Sequence, residues 1–121
     1  MEFLKEYEIN VVKLLTSNSI PSEKIDSILQ NSEFIGYEYT GSGYFLSIKH
    51  SAFPKERIVC NRPILLGKTS AGTICGFVIF IENNQLTLEC HSWGEINVPE
   101  DFRERDVQIT IEDIEVKQNN Q

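Results

Sequence analysis

Histidine and cysteine are scarce in this chain, and neither falls into the spacings that metal or nucleophile chemistry requires. There are two histidines, His50 and His91, and three cysteines, Cys60, Cys75 and Cys90. No C-x-x-C pair occurs, and an odd count does not make a disulfide framework. Three buried thiols are the expectation, because free cysteine behaves as a small hydrophobe. Long apolar runs are also missing. The longest, Ile74 to Ile81, is broken by Gly76 and falls far short of the roughly 20 residues of a membrane helix. The opening Met1-Glu2-Phe3-Leu4-Lys5-Glu6 lacks the basic start and apolar stretch of a signal peptide, so a cytoplasmic location is expected. Basic residues are the minority, 11 against 18 acids, for a formal net charge of −7. That balance makes nucleic acid an improbable direct ligand, since phosphate binding needs a basic surface, and points instead to a basic partner.

What is present suits one folded domain over residues 1–121: 40% of the residues are hydrophobic and 10% aromatic. The charge is laid out in blocks. Residues 1–39 carry a net −4, residues 40–81 a net +4, and residues 82–115 a net −8. Leu4, Tyr7, Val11, Leu14 and Leu15 recur at helical spacing, which predicts a helix over residues 3–16. Pro21 opens a second, shorter helix reaching about Gln30 and making a helical hairpin with the first.

From Glu33 the period changes to two. If Gly41-Ser42 is a tight turn, Tyr39 faces Tyr44, Tyr37 faces Leu46 and Ile35 faces Ile48, which gathers the apolar side chains on one face. A one-residue slip would scatter them. A second hairpin over residues 73–93 turns at Asn83-Asn84. It sets Ile81, Ile79 and Phe77 against Leu86, Leu88 and Cys90 on a core face. Its other face is mixed, with Val78 opposite Glu89, Gly76 opposite His91 and Ile74 opposite Trp93. Glu56 to Asn61, with Ile58, Val59 and Cys60, reads as a short strand broken at Pro63, Ile64 to Leu66 either resumes pairing or caps an edge, and Val107, Ile109 and Ile111 alternate as a last strand. Residues 117–121 read as a frayed tail. The expected fold is therefore α+β: an N-terminal helical hairpin followed by a curved antiparallel sheet of about six strands.

Candidate chemistry is thin. Glu89 and His91 share a strand face and could ligate or transfer protons, but a zinc site needs a third and fourth ligand that the spacing does not supply. Cys90 is adjacent to His91, yet neighbouring strand residues point to opposite faces. Gly41-Ser42-Gly43 lacks the following helix of a phosphate loop. No catalytic residue, metal ligand or cofactor is expected. Trp93, the single tryptophan, stands beside His91, Glu89 and Glu95, a composition common at interfaces. The acids Glu95, Glu100, Asp101, Glu104 and Asp106 follow it, interrupted by Arg103 and Arg105.

The run Gly43 to His50 followed at a distance by Leu86 to Trp93 resembles a pattern in small bacterial proteins. In size and acidity the chain is similar to the immunity proteins of bacterial toxin systems, such as those of contact-dependent growth inhibition. That resemblance implies a non-enzymatic protein that binds a cognate basic toxin domain and neutralises it, and it carries no residue assignments of its own. Taken with the charge layout, it makes Glu89, His91, Trp93, Glu95, Glu100, Asp101, Glu104 and Asp106 the expected partner-binding residues. The alternative is a small enzyme or ligand-binding domain with a pocket near Glu89, His91 and Trp93. A homodimer that buries the mixed hairpin face is a third reading, and no membrane association is expected.

Overall fold

The computed structural model of the chain describes residues 3–112. The expected tail at 117–121 lies outside the described residues. Two helices, α1 (Glu6–Leu15) and α2 (Ser22–Gln30), precede seven strands: β1 (Glu33–Tyr39), β2 (Gly43–Lys49), β3 (Ile58–Cys60), β4 (Ile64–Lys68), β5 (Ile74–Glu82), β6 (Gln85–Ser92) and β7 (Gln108–Glu112). A single 3₁₀ turn, Phe102–Glu104, lies between β6 and β7. The first helix begins three residues later than the predicted start at residue 3, because Glu8 sets its start: the carboxylate accepts the Lys5 N–H at 2.8 Å, the return half of a capping box. Its far end closes where the Thr16 hydroxyl donates to the Val12 carbonyl at 2.7 Å.

The strands form one open antiparallel sheet in the order β1-β2-β6-β5-β4-β7, with β3 pairing the far half of β5. Both predicted hairpins form. Asn83 and Asn84 take φ of 56° and 65°, the left-handed values that a two-residue turn demands, and Gly41 takes 93°. The β5–β6 register matches the one read from the sequence throughout. In the first hairpin Tyr39 faces Tyr44 and Tyr37 faces Leu46 as expected, but Phe34, not Ile35, faces Ile48. A bulge between Phe34 and Gly36 takes up one residue, so Ile35 leaves the core face and is 44% exposed.

One face of the sheet is dry. Tyr44, Leu46 and Ile48 of β2, Phe77, Ile79 and Ile81 of β5, and Leu86, Leu88 and Cys90 of β6 are all buried there. Val11, Val12 and Leu15 of α1 and Ile25, Ile28 and Leu29 of α2 join the same core, so both helices cover this face. Each fully buried aliphatic side chain contributes on the order of 1.5–3 kcal/mol, which makes this layer the main source of stability. The opposite face of β2, β5 and β6 alternates to half-buried residues and carries the mixed surface. No helix among the described residues is long and apolar enough to cross a membrane.

Candidate functional site

β6 ends at Ser92, and the next five residues, Trp93 to Asn97, are all exposed. The base of this segment is tied at both ends. Ser92 Oγ accepts the Val98 N–H at 3.1 Å and donates to the Ser42 carbonyl at 2.6 Å. The Tyr39 hydroxyl donates to the Val98 carbonyl at 2.7 Å, and Val98 itself is fully buried. The result is a short projecting loop on a fixed footing, the arrangement by which rigid scaffolds present binding residues.

Two large apolar side chains stand on this loop, Trp93 at 48% exposed and Ile96 at 54%. The indole is nevertheless seated. A Cβ at Gly76 would fall 2.6 Å from His91 Nε2 and 2.8 Å from Trp93 Cε3, so only glycine leaves room for the two rings at this point of β5. The rings themselves lie 6.1 Å apart and tilted by 37°. The space above Gly76, where a pocket would have to open, is thus filled by imidazole and indole. The connection over residues 99–105 does not cover Trp93; it buries Phe102 instead.

The expected acids divide into two groups. Asp101 pairs with Arg105 at 3.0 Å, Glu104 with Lys5 at 3.2 Å, and Asp106 accepts from Ser70 Oγ at 3.3 Å. Glu95 and Glu100 are exposed, and among the described residues no ion pair engages them or Glu89. Glu89 lies mid-strand between Phe45 and Val78 on the mixed face. Three bases collect at the other end of the sheet: Lys49 opposite Gln85, Lys55 against the β5–β6 turn, and Arg57 paired with Glu82 at 3.6 Å. Glu33, Glu56 and Glu82 accompany those bases, whereas Glu95 and Glu100 at the Trp93 end have no cation paired with them among the described residues.

The remaining reactive side chains are held apart. His91 is opposite Gly43, whereas His50 follows the other end of β2, so about 23 Å of strand separates them. His50 Nδ1 accepts the Ala52 N–H at 2.9 Å, a local turn contact. No cluster of three or more metal-ligating side chains exists among the described residues. Cys90 is buried in the core, where its hydrogen bond with Cys75, reinforced by burial, holds the thiol far above its ordinary pKa.

One polar cluster escaped the sequence reading. Glu8 is fully buried in the stripe of α1, and its carboxylate accepts four hydrogen bonds: from Lys5 N, from Arg103 Nε and Nη2 at 2.8 Å each, and from the Tyr44 hydroxyl at 2.5 Å. Tyr7 Oη meets Tyr44 Oη at 2.5 Å. The Arg103 guanidinium also donates to the Phe3 carbonyl at 2.6 Å and lies 5.3 Å from the Tyr37 ring centroid. Burial, then the charge of Glu8, pushes both the Tyr7 and Tyr44 hydroxyls well above the usual tyrosine range. Burial alone would lower the Arg103 pKa, but hydrogen bonding to Glu8 and its charge outweigh that and raise it. Every oxygen of Glu8 is satisfied, so the cluster is a clamp fixing the 99–107 segment to α1. The signal available beforehand was a glutamate inside the apolar stripe, between Leu4 and Val11.

A groove of about 720 Å³ runs between α1 and β7, bordered by Lys5, Lys13, Arg103 and Arg105. Each of those cations already has a carboxylate partner: Glu104, Asp26, Glu8 and Asp101 in turn. No protein-family model, curated protein or solved structure matches the chain.

Proposed function

We propose that this domain is a protein-binding module that engages a basic partner surface through the Trp93–Asn97 loop and the sheet face beside it. The observation that carries the reading is the loop itself: two exposed apolar anchors on a pinned base, with Glu95 between them and Glu100 close behind. Exposed tryptophan and flanking unpaired charge are the composition of an interface centre, where a desolvated aromatic anchor carries affinity and charge sets on-rate and partner choice. Neutralisation of a basic toxin domain, with acids standing where substrate phosphates would bind, is the specific form of this role that the acidity and the resemblance to immunity proteins support.

The test is capture of the partner from source cells on the immobilised protein, with elution over a salt gradient, followed by measurement of affinity for the purified partner. A basic protein released at moderate salt is expected. Trp93→Ala should weaken its binding by about 2 kcal/mol or more, the scale of a hot spot. Glu95→Lys with Glu100→Lys should reduce the association rate severalfold at low salt. Wild-type affinity in both variants would refute the assignment of the loop.

A further inference from the structure

β1 is an edge strand: among the described residues it pairs only with β2. The turn that joins them is closed by the hydrogen-bonded pair Thr40–Gly43, with Thr40 N–H to Gly43 C=O at 2.9 Å. Antiparallel pairs alternate, so Glu38–Phe45 is hydrogen-bonded in its turn, and Tyr37 and Tyr39 direct their N–H and C=O groups away from β2. No other described segment bonds to those groups. The edge is also unusually apolar. Of the seven large hydrophobic side chains exposed among the described residues, three, Phe34, Ile35 and Tyr37, belong to this one strand. An exposed apolar edge is a template for strand addition.

The charge on the strand selects the occupant. β1 carries Glu33 and Glu38 and no base, and the one cation opposite it in the ladder is Lys49, across from Glu33. Its C-terminal end leads to the site described above, because Tyr39 is bonded to Val98 at the foot of the Trp93 loop. A second copy would bring the same acids and another net charge of −7. The bulge at Ile35 confines the regular edge to residues 36–39, which further limits indiscriminate pairing. An extended segment with alternating basic residues meets neither obstacle. We infer that β1 accepts an extended, basic strand of the partner protein, which lengthens the sheet while the Trp93 loop grips the partner beside it. The inference rests on the protein-binding reading and adds its mode of recognition.

The experiment uses the full ¹⁵N-labelled chain and three capped hexapeptides: alternating Lys-Val, alternating Glu-Val, and Lys-Val with N-methyl groups on the residues that would face the edge. Amide exchange is followed at Tyr37 and Tyr39, and Trp93 fluorescence is followed in parallel. Saturating Lys-Val peptide should slow exchange at both amides at least tenfold, salt should reverse the effect, and the other two peptides should give none. Glu38→Lys should abolish the preference for the basic peptide. Unchanged exchange, or equal slowing by the N-methylated or Glu-Val peptide, would overturn the inference. So would slowing that grows with protein concentration in the absence of peptide, which would place a second copy on the edge. A Trp93 response without slowing at Tyr37 and Tyr39 would overturn strand addition and leave the loop reading standing. Loss of partner affinity in Glu38→Lys with full affinity in Trp93→Ala would do the reverse.

Discussion

Replacing Arg103 with Met should destabilise this domain more than any substitution on its surface. The Glu8 carboxylate has no exposure, and Arg103 supplies two of its four hydrogen bonds and its only countercharge in the clamp. Met keeps most of the length of the apolar stem but loses, with the charge, the guanidinium that lies over the Tyr37 and Tyr44 rings. What remains is an unpaired carboxylate in the interior. Removing one partner of a buried pair costs about 3–5 kcal/mol, and two charge-assisted hydrogen bonds at about 1.5–3 kcal/mol each reach a similar sum. Arg103 retains some exposure, so water can reach part of the site and the lower end, about 3 kcal/mol, is expected. For a chain of this length that is about 10–15 °C in melting temperature. Urea unfolding, followed by circular dichroism and by Trp93 fluorescence, measures it. The decisive comparison is the double variant: Glu8→Gln removes the buried charge, keeps an acceptor oxygen for the Lys5 N–H and presents an N–H that the Tyr44 hydroxyl oxygen can accept, so adding it to Arg103→Met should recover at least about 1 kcal/mol. A double variant less stable than Arg103→Met would refute the account of Glu8 as a charge held by Arg103.

Two further outcomes follow from the geometry. Gly76→Val should displace the His91 and Trp93 rings from the strand, shifting the Trp93 emission maximum and lowering partner affinity severalfold; because the rings face solvent, the stability loss should stay near 1 kcal/mol. Alkaline titration should reveal Tyr7 and Tyr44. Their folded pKa values lie above the unfolded value of about 10, so the unfolded chain loses these protons first. Their contribution is complete below that pH and declines above it by about 1.4 kcal/mol per pH unit for each group. Denaturant titrations from pH 8 to 11 should show the decline, and Tyr44→Phe should make it shallower.

The parts of the fold legible in the sequence were those fixed locally. Each hairpin carries its register in its own turn residues and in the segregation of its two faces, so Phe77 could be set against Cys90 from spacing alone. Ile35 shows the limit of this logic. Phe34 and Ile35 are both apolar, so either can face Ile48, and nothing in the alternation marks the extra residue of a bulge. The pairing of β2 with β6 and of β4 with β7 joins strands far apart in sequence, and periodicity is silent about such neighbours. The same holds for Glu8 and Arg103, which are 95 residues apart. Within the candidate site, the proximity of His91, Trp93 and Gly76 followed from the hairpin register. The exposure of Ile96 did not, because it depends on how Ser92 and Val98 close the loop.

That closure also determines which acids can matter to a partner. A count of charges treats Glu95, Glu100, Asp101 and Glu104 alike, but the structure does not. Asp101 and Glu104 each face a cation at 3.0 and 3.2 Å, and an approaching base would have to compete with Arg105 or Lys5 for them. Exposed pairs of this kind are worth about 0–1 kcal/mol, so their loss should scarcely affect folding. Glu95 and Glu100 have no such competitor among the described residues, and Glu95 sits between the two apolar anchors. Neutralising either set, Glu95→Gln with Glu100→Gln or Asp101→Asn with Glu104→Gln, changes the net charge equally. At about 0.15 M salt, where the screening length is about 8 Å, position should decide the result. The first set should raise the partner's dissociation rate several-fold, and the second should leave it within a factor of two. Equal effects from both would mean that the partner responds to the overall field of the domain and that the Trp93 loop is not its centre.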